Sequence, residues 1–319
     1  MDEQIASVLE HAFPDREADA VHPSGPSWNE KNRTVKIDFA DGWATYLKMA
    51  TDGDGSRIVR ERAALAYVGE QRTVSVPTVL VSDSEWEVPY LATVPVSGQN
   101  LIHLWSNASV SERQKVARQV GESLASVHSL RFENHGHIVG GDGDGIELET
   151  GPWTDVLIDT IGDMRTVASS DRFGHYFDDV VSAVETNREL LDDASAALLH
   201  GDLAQPNCFD TGGGIGFLDW EIAHVGDPVR DIHRTQELQF GSLRADAPEE
   251  IVSAFNDGYR EQAGGFPPGF ETRRPVYDAV RFLNHTGVFD KWAEFLDEPR
   301  EELARWMDTE MQRRLAEIS

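Results

Sequence analysis

One stretch constrains this chain more than any other: LHGDLAQPNCFDTGGGIGFLDWEIAHVGDPVRD, residues 199–231. It sets His200, Asp202 and Asn207 in an H-x-D-x-x-x-x-N arrangement, followed by Gly212, Gly213 and Gly214. An apolar run from Ile215 to Leu218 then ends on Asp219. Glycines between two short apolar runs read as a hairpin turn, which would bring Asp202, Asn207 and Asp219 to one end of a small sheet. One carboxylate able to accept a hydroxyl proton, with an Asn and a second Asp offering oxygens to a hard cation, is the set that phosphoryl transfer requires. The competing reading is a surface hairpin whose acids only aid solubility. The ordered continuation through D-W-E, G-D-P and Asp231 argues against it.

The spacing from Asp202 to Asn207 equals that of the catalytic loop in protein kinases, and Asp219 falls where the metal-binding Asp of that fold falls. The stretch resembles the signature of the aminoglycoside phosphotransferase and choline kinase family, small-molecule kinases with a protein-kinase-like fold. The resemblance implies an α+β, two-lobed protein-kinase-like fold, with a β-rich N-terminal lobe and a mostly helical C-terminal lobe. It also implies Asp202 as catalytic base, Asn207 and Asp219 as Mg2+ ligands, and ATP as phosphate donor. His200 would brace the loop, and Asp231 would cap it from behind. D-W-E replaces the D-F-G of protein kinases and no A-P-E follows. That points to a small hydroxyl-bearing substrate rather than a protein.

Upstream, residues 2–12 read as a short helix with Ile5, Val8 and Leu9 on one face. Three strands follow, over 21–25, 34–39 and 43–49, the last two joined by an Asp41-Gly42 turn. The loop after the first strand does not match the glycine-rich kinase pattern. Backbone amides around Ser24, Gly25 and Ser27 could still cradle phosphate oxygens. Lys48 stands inside an aromatic and apolar strand, and the resemblance makes it the lysine that grips the phosphates. In the helix after it, Ile58, Glu61, Leu65 and Val68 share one narrow stripe, whereas Glu70 points away. A carboxylate inside an apolar stripe needs a partner. Lys48 is the natural one, and kinases likewise pair a strand lysine with a helix glutamate. The segment 92–96 would be the hinge against which the purine lies. Pro95 has no N–H, so a backbone donor must come from Val94 or Val96. The lobe boundary is placed there, dividing the chain into 1–96 and 97–319.

Downstream the pattern is helical. A helix begins at Asn100, and a long one runs over 109–130, with His128 as a packed core histidine. Residues 134–151 read as a loop whose GDGDG is a solvated turn. Helices are expected over 153–168, 173–191, 248–263, 272–296 and 300–318. By resemblance the C-terminal helices would wall the acceptor site. Glu221, Asp227 and Glu237 lie near Asp219 in sequence. Either they line the cleft and favour a polyhydroxyl or amine-bearing acceptor, or they belong only to the general excess of acid.

That excess is large: 56 acidic against 28 basic residues, a net charge of −28, with only five lysines, at 31, 36, 48, 115 and 291. It is spread along the chain, a pattern resembling proteins of salt-accumulating archaea, in which concentrated salt screens the repulsion. It disfavours nucleic acid as a partner. No apolar run approaches the roughly 20 residues of a membrane helix. The acidic N-terminus does not resemble a targeting peptide, and the single Cys208 excludes an internal disulfide. A soluble, cytoplasmic protein is expected. Two other readings compete: a nucleotide-binding regulatory kinase homologue without turnover, and a metal hydrolase built on His200, Asp202, Asp219 and His224.

Overall fold

The computed structural model describes residues 2–24 and 31–318. In chain order the elements begin with helix α1 (Glu3–Ala12) and strands β1 (Ala18–Pro23), β2 (Asn32–Phe39) and β3 (Ala44–Ala50). Next come α2 (Ser56–Gln71), β4 (Val79–Asp83), β5 (Tyr90–Thr93), β6 (Gln99–Asn100), α3 (Leu101–Asn107) and α4 (Val110–His128). The middle of the chain holds β7 (His135–Gly141), β8 (Ile146–Gly151), α5 (Trp153–Thr166), α6 (His175–Thr186), α7 (Arg188–Asp192) and β9 (Ala197–Leu199). The hairpin β10 (Cys208–Asp210) and β11 (Ile215–Phe217) follows, then β12 (His224–Gly226) and α8 (Pro228–Phe240). Four helices close the chain: α9 (Glu249–Ala263), α10 (Phe270–Gly287), α11 (Phe289–Phe295) and α12 (Arg300–Ile318).

These elements form two compact units. The first comprises Met1–Ser109, Ile138–Glu149 and Gln205–Ala223; the second comprises Val110–His137, Thr150–Ala204 and His224–Ser319. The first is organised on an antiparallel sheet in the order β1-β2-β3-β5-β4. Strand period two sets Thr45, Leu47 and Met49 of β3 inward, and α1 lays Ile5, Val8 and Leu9 over the same core as Ile37 and Leu47. Lys48, on the opposite face of β3, is thereby directed away from that core. It pairs in register with Thr34 on one side and Leu91 on the other.

The second unit is mostly helical. Its tightest contact joins α4 to α9. A Cβ on Gly121 would lie 2.2 Å from the Phe255 carbonyl oxygen, and one on Gly258 would lie 2.1 Å from the Arg118 carbonyl oxygen. Only glycine allows backbones this close. His128 and Tyr259, just beyond these glycines, are buried and hydrogen-bonded at 2.9 Å.

Three expectations are corrected. Residues 134–151 are not a plain loop: GDGDG is the turn, closed by the Asp142 N–H donating to the Gly145 carbonyl, but its flanks are strands β7 and β8. In β7 burial alternates, Gly136, Ile138 and Gly140 being buried between less buried neighbours, so pairing rather than composition decides the conformation. The helix expected over 173–191 breaks at Asn187, which leaves helical angles at φ −95° and ψ 15°. The helix expected over 272–296 starts at Phe270 and breaks at Val288.

Candidate active site

In the first unit, Lys48 is the centre of a buried ionic cluster. Its Nζ lies 2.5 Å from Glu61 Oε2, 2.5 Å from Asp219 Oδ1 and 3.2 Å from Glu221 Oε2. Glu61 is 5% exposed and shares its face of α2 with buried Ile58, Leu65 and Val68, whereas Glu70 is exposed. The helical stripe thus selects the glutamate that meets the lysine.

Asp219 reaches this cluster from the β10–β11 hairpin. Cys208 pairs with Phe217, and the Leu218 N–H donates to the Asn207 carbonyl at 2.8 Å, so Asn207 and Asp219 lie at the same end of the hairpin. Asp219 has φ +64°, left-handed for a residue with a side chain. Asp tolerates this better than most residues, and such strain of about 1–3 kcal/mol collects at functional sites. Glu221, two residues on, is held from several sides. Asn32 Nδ2 donates to it at 2.5 Å, Arg57 Nη1 at 2.9 Å, and Arg60 Nη1 donates to its carbonyl at 3.2 Å.

Three carboxylates sharing one ammonium shift the titration of the group. Burial alone would lower the Lys48 pKa, but Asp219, Glu61 and Glu221 outweigh it and hold it well above the usual lysine value. Burial, opposed by Lys48 and reinforced by Asp219 and Glu221, pushes the Glu61 carboxyl up to about 7. Oxygen atoms of Glu61, Asp219 and Glu221 all lie within 4.8 Å of one another. This is an oxygen-rich, electronegative cluster of the kind that suits a hard divalent cation.

The second unit carries Asp202. The loop before it is tied down by Asp231, whose two carboxylate oxygens accept the His200 N–H at 2.8 Å and the Gly201 N–H at 3.0 Å. Asp231 is fully buried, with His128 Nε2 3.4 Å away. Burial works against its charge, but hydrogen bonding and attraction from His128, with help from His200, hold its carboxyl well below the usual range. His200 Nδ1 in turn accepts the Asp202 N–H at 3.3 Å. The Asp202 carboxylate itself is half-exposed and accepts a hydrogen bond from Arg234 Nη2 at 2.8 Å.

Of the remaining expected residues, Ser24 is exposed and its amide donates to the Thr34 carbonyl at 3.4 Å. Gly25 and Ser27 lie outside the described residues. The Val94 amide donates to the Thr78 carbonyl at 2.9 Å, just beyond the ends of β5 and β4, and Val96 is half-buried.

The family model described as "Phosphotransferase enzyme family" matches residues 24–283. The chain belongs to that family. It is a small-molecule kinase with an α+β, protein-kinase-like fold. No curated protein matches the sequence. Among solved structures, a thermostable mutant of the aminoglycoside phosphotransferase APH(4)-Ia is similar at TM-score 0.64 and 17% identity, covering 97% of this chain and 98% of that one. A further thermostable mutant of the same phosphotransferase, in ternary complex with ADP and hygromycin B, matches at TM-score 0.59 and 15% identity, with 98% of each chain covered. The choline kinase LicA from Streptococcus pneumoniae matches at TM-score 0.62 and 13% identity, again over 98% of each chain. Among the described residues, no helix is long and apolar enough to cross a membrane.

The sequence did not single out Asn32, Arg57, Arg60 or Arg234. A usable signal existed for two of them: R-I-V-R-E-R crowds three arginines around Glu61 in a chain poor in basic residues, with Arg57 one helical turn before it.

Proposed function

We propose that this kinase transfers the γ-phosphate of ATP, with magnesium, to a hydroxyl of a small polar molecule in the range of aminoglycosides, sugars and amino alcohols. The observation that carries the reading is Lys48, buried and held by Glu61, Asp219 and Glu221. An ammonium fixed this way is oriented to exchange a carboxylate partner for phosphate oxygens. In the same proposal the Val96 amide, rather than the engaged Val94 amide, serves the purine edge, and the backbone amides of Ser24, Gly25 and Ser27 serve the phosphates. The nucleotide lobe spans 1–96 and the acceptor lobe 97–319.

Asp202 acts as the base: its carboxylate orients the acceptor hydroxyl and takes its proton as the oxygen attacks the γ-phosphorus and the bond from that phosphorus to the β-phosphate oxygen breaks, releasing ADP. The carboxamide of Asn207 and the carboxylate of Asp219 fit a hard cation by donor type and share one hairpin end, so these two residues would hold magnesium. Bound there, the ion would neutralise charge on the phosphates. Lys48 contributes charge and position, and most of the acceleration then comes from orientation and electrostatics.

The test is ADP formation over an acceptor panel in molar KCl. Asp219→Ala should cost more than Asn207→Ala, because it removes a full charge from the ion's shell, and EDTA should silence the wild type. Full activity in EDTA would refute the mechanism. Nucleotide binding without any turnover would favour the regulatory reading instead.

A further inference from the structure

Within the second unit, α8 and α10 carry a group of arginines whose setting departs from the acidic character of the chain. Arg234 of α8 spends one N–H on Asp202, yet its Nε is buried without a hydrogen-bond acceptor. Arg281 of α10 is nine-tenths buried; its Nε lies 3.2 Å from Glu237 Oε2, but neither atom makes an aligned hydrogen bond. Burial, and then repulsion from Arg234, push the Arg281 pKa down to about 10, while Glu237 and Asp202 attract it. The three acids whose sequence positions suggested an amine-binding wall are all engaged by cations. Glu221 is held by Lys48 and Arg57, Glu237 by Arg281, and Asp227 by Arg273 at 2.6 Å, with Tyr277 donating to it at 2.6 Å.

An acceptor hydroxyl must come within about 3 Å of the Asp202 carboxylate to lose its proton there. The Arg234 guanidinium lies 2.8 Å from that carboxylate, so it stands within roughly 6 Å of the hydroxyl. That is the span between a hydroxyl and a charged group one or two carbons away. A buried guanidinium with open donors matches the planar, multi-oxygen geometry of carboxylate or phosphate, and a cationic amine would be repelled.

We infer that Arg234 and Arg281 form an anion clamp for the acceptor: the molecule phosphorylated carries a carboxylate or phosphate beside the hydroxyl it presents to Asp202. The inference rests on the kinase reading and narrows its substrate class. The anion completes the unused donors of both arginines and offsets their mutual repulsion. An amino-alcohol or sugar skeleton remains compatible provided it bears that acidic group.

The experiment is calorimetric titration of the full chain, at fixed KCl concentration, with D-glycerate, glycerol 3-phosphate, glycerol and ethanolamine, followed by ADP assays with the same compounds. One or both anions should bind at least about tenfold more tightly than glycerol or ethanolamine, and which anion wins separates carboxylate from phosphate recognition. Arg281→Gln should abolish the preference and Arg281→Lys should retain part of it, with melting curves showing that both variants are folded. Equal binding of glycerol or ethanolamine, or no binding of either anion by the wild type, would overturn the clamp even if ATP is consumed with another acceptor. Selective anion binding with no ADP formed from any acceptor would leave the clamp standing and refute the kinase reading instead.

Discussion

The two units solve the same electrostatic problem with opposite signs. Around Lys48, one ammonium serves three carboxylates, and with Arg57 included the cluster still has one negative charge too many. Around Asp202, the half-exposed carboxylate accepts from Arg234, and the buried Nε atoms of Arg234 and Arg281 make no aligned hydrogen bond. The first arrangement is short of positive charge; the second leaves buried guanidinium N–H groups without an aligned hydrogen bond. Under the two proposals above, the first cluster would take a cation with its phosphates and the second an anion. Pairing that leaves a remainder is thus more informative than the number of pairs, since isolated exposed ion pairs contribute little.

The coarsest way to break this contrast is to remove salt. With a net charge of −28, diluting KCl from 3 M to 0.05 M lets exposed acids repel across the surface, while the buried pairs are screened little at either concentration. Circular dichroism should record a fall in melting temperature of about 10 °C or more. An unchanged melting temperature would sink the idea of a salt-adapted chain.

Next in size is Asp202→Asn, which removes the proton acceptor but can keep a hydrogen bond to Arg234. Its kcat should fall by about 10²–10⁴-fold with melting near that of the wild type. A variant retaining most of its rate would remove Asp202 from the role of base.

Asp231→Ala tests the anchoring of the loop. It strands the His200 and Gly201 amides and His128 in the interior, and urea unfolding should register a loss of about 3–5 kcal/mol. Because the folded-state pKa of Asp231 is depressed, its contribution is present above the usual value of 3.8 and is lost as pH falls toward the lower folded value. Acid sensitivity below pH 4 should therefore be blunted in the variant. An identical acid limb in both proteins would contradict the assignment.

The smallest effect is expected at Glu61→Gln. The Glu61 pKa is raised from 4.5 to about 7, so the folded protein binds a proton more tightly than the unfolded chain. Its contribution is fully present below pH 4.5 and is lost as pH rises through 7. The substitution should flatten stability against pH across that window, measured as melting temperature at constant ionic strength. A wild-type slope that survives in the variant would show that Glu61 ionises normally.

Much of the Lys48 cluster was legible because its signals are local. Period two sets Lys48 apart from Leu47 and Met49, period 3.6 selects Glu61 over Glu70, and glycines mark the turn that carries Asn207 and Asp219 to one hairpin end. The strands flanking GDGDG were missed because Gly and Asp mask a pattern that only cross-strand pairing reveals. The arginine pair was missed for another reason: Arg234 and Arg281 stand on helices 47 positions apart, and no periodicity within either helix reports on the other. Likewise Asn32 has no local reason to seek Glu221, and only the folded sheet introduces them.

The glycine contact between α4 and α9 carries a consequence for how this sequence can drift. Gly121 and Gly258 bring two backbones together where any methyl group would collide with a carbonyl oxygen, and there is no flexible side chain to yield. His128 lies two turns beyond the first glycine and Tyr259 one residue beyond the second; their hydrogen bond is the far end of the chain that reaches Asp231 and the His200–Gly201 amides. An inherited change at either glycine would therefore prise the helices apart and tilt the aspartate's support from a distance. Two positions with no side chain and no chemistry should be as intolerant of substitution as residues that touch the reacting groups.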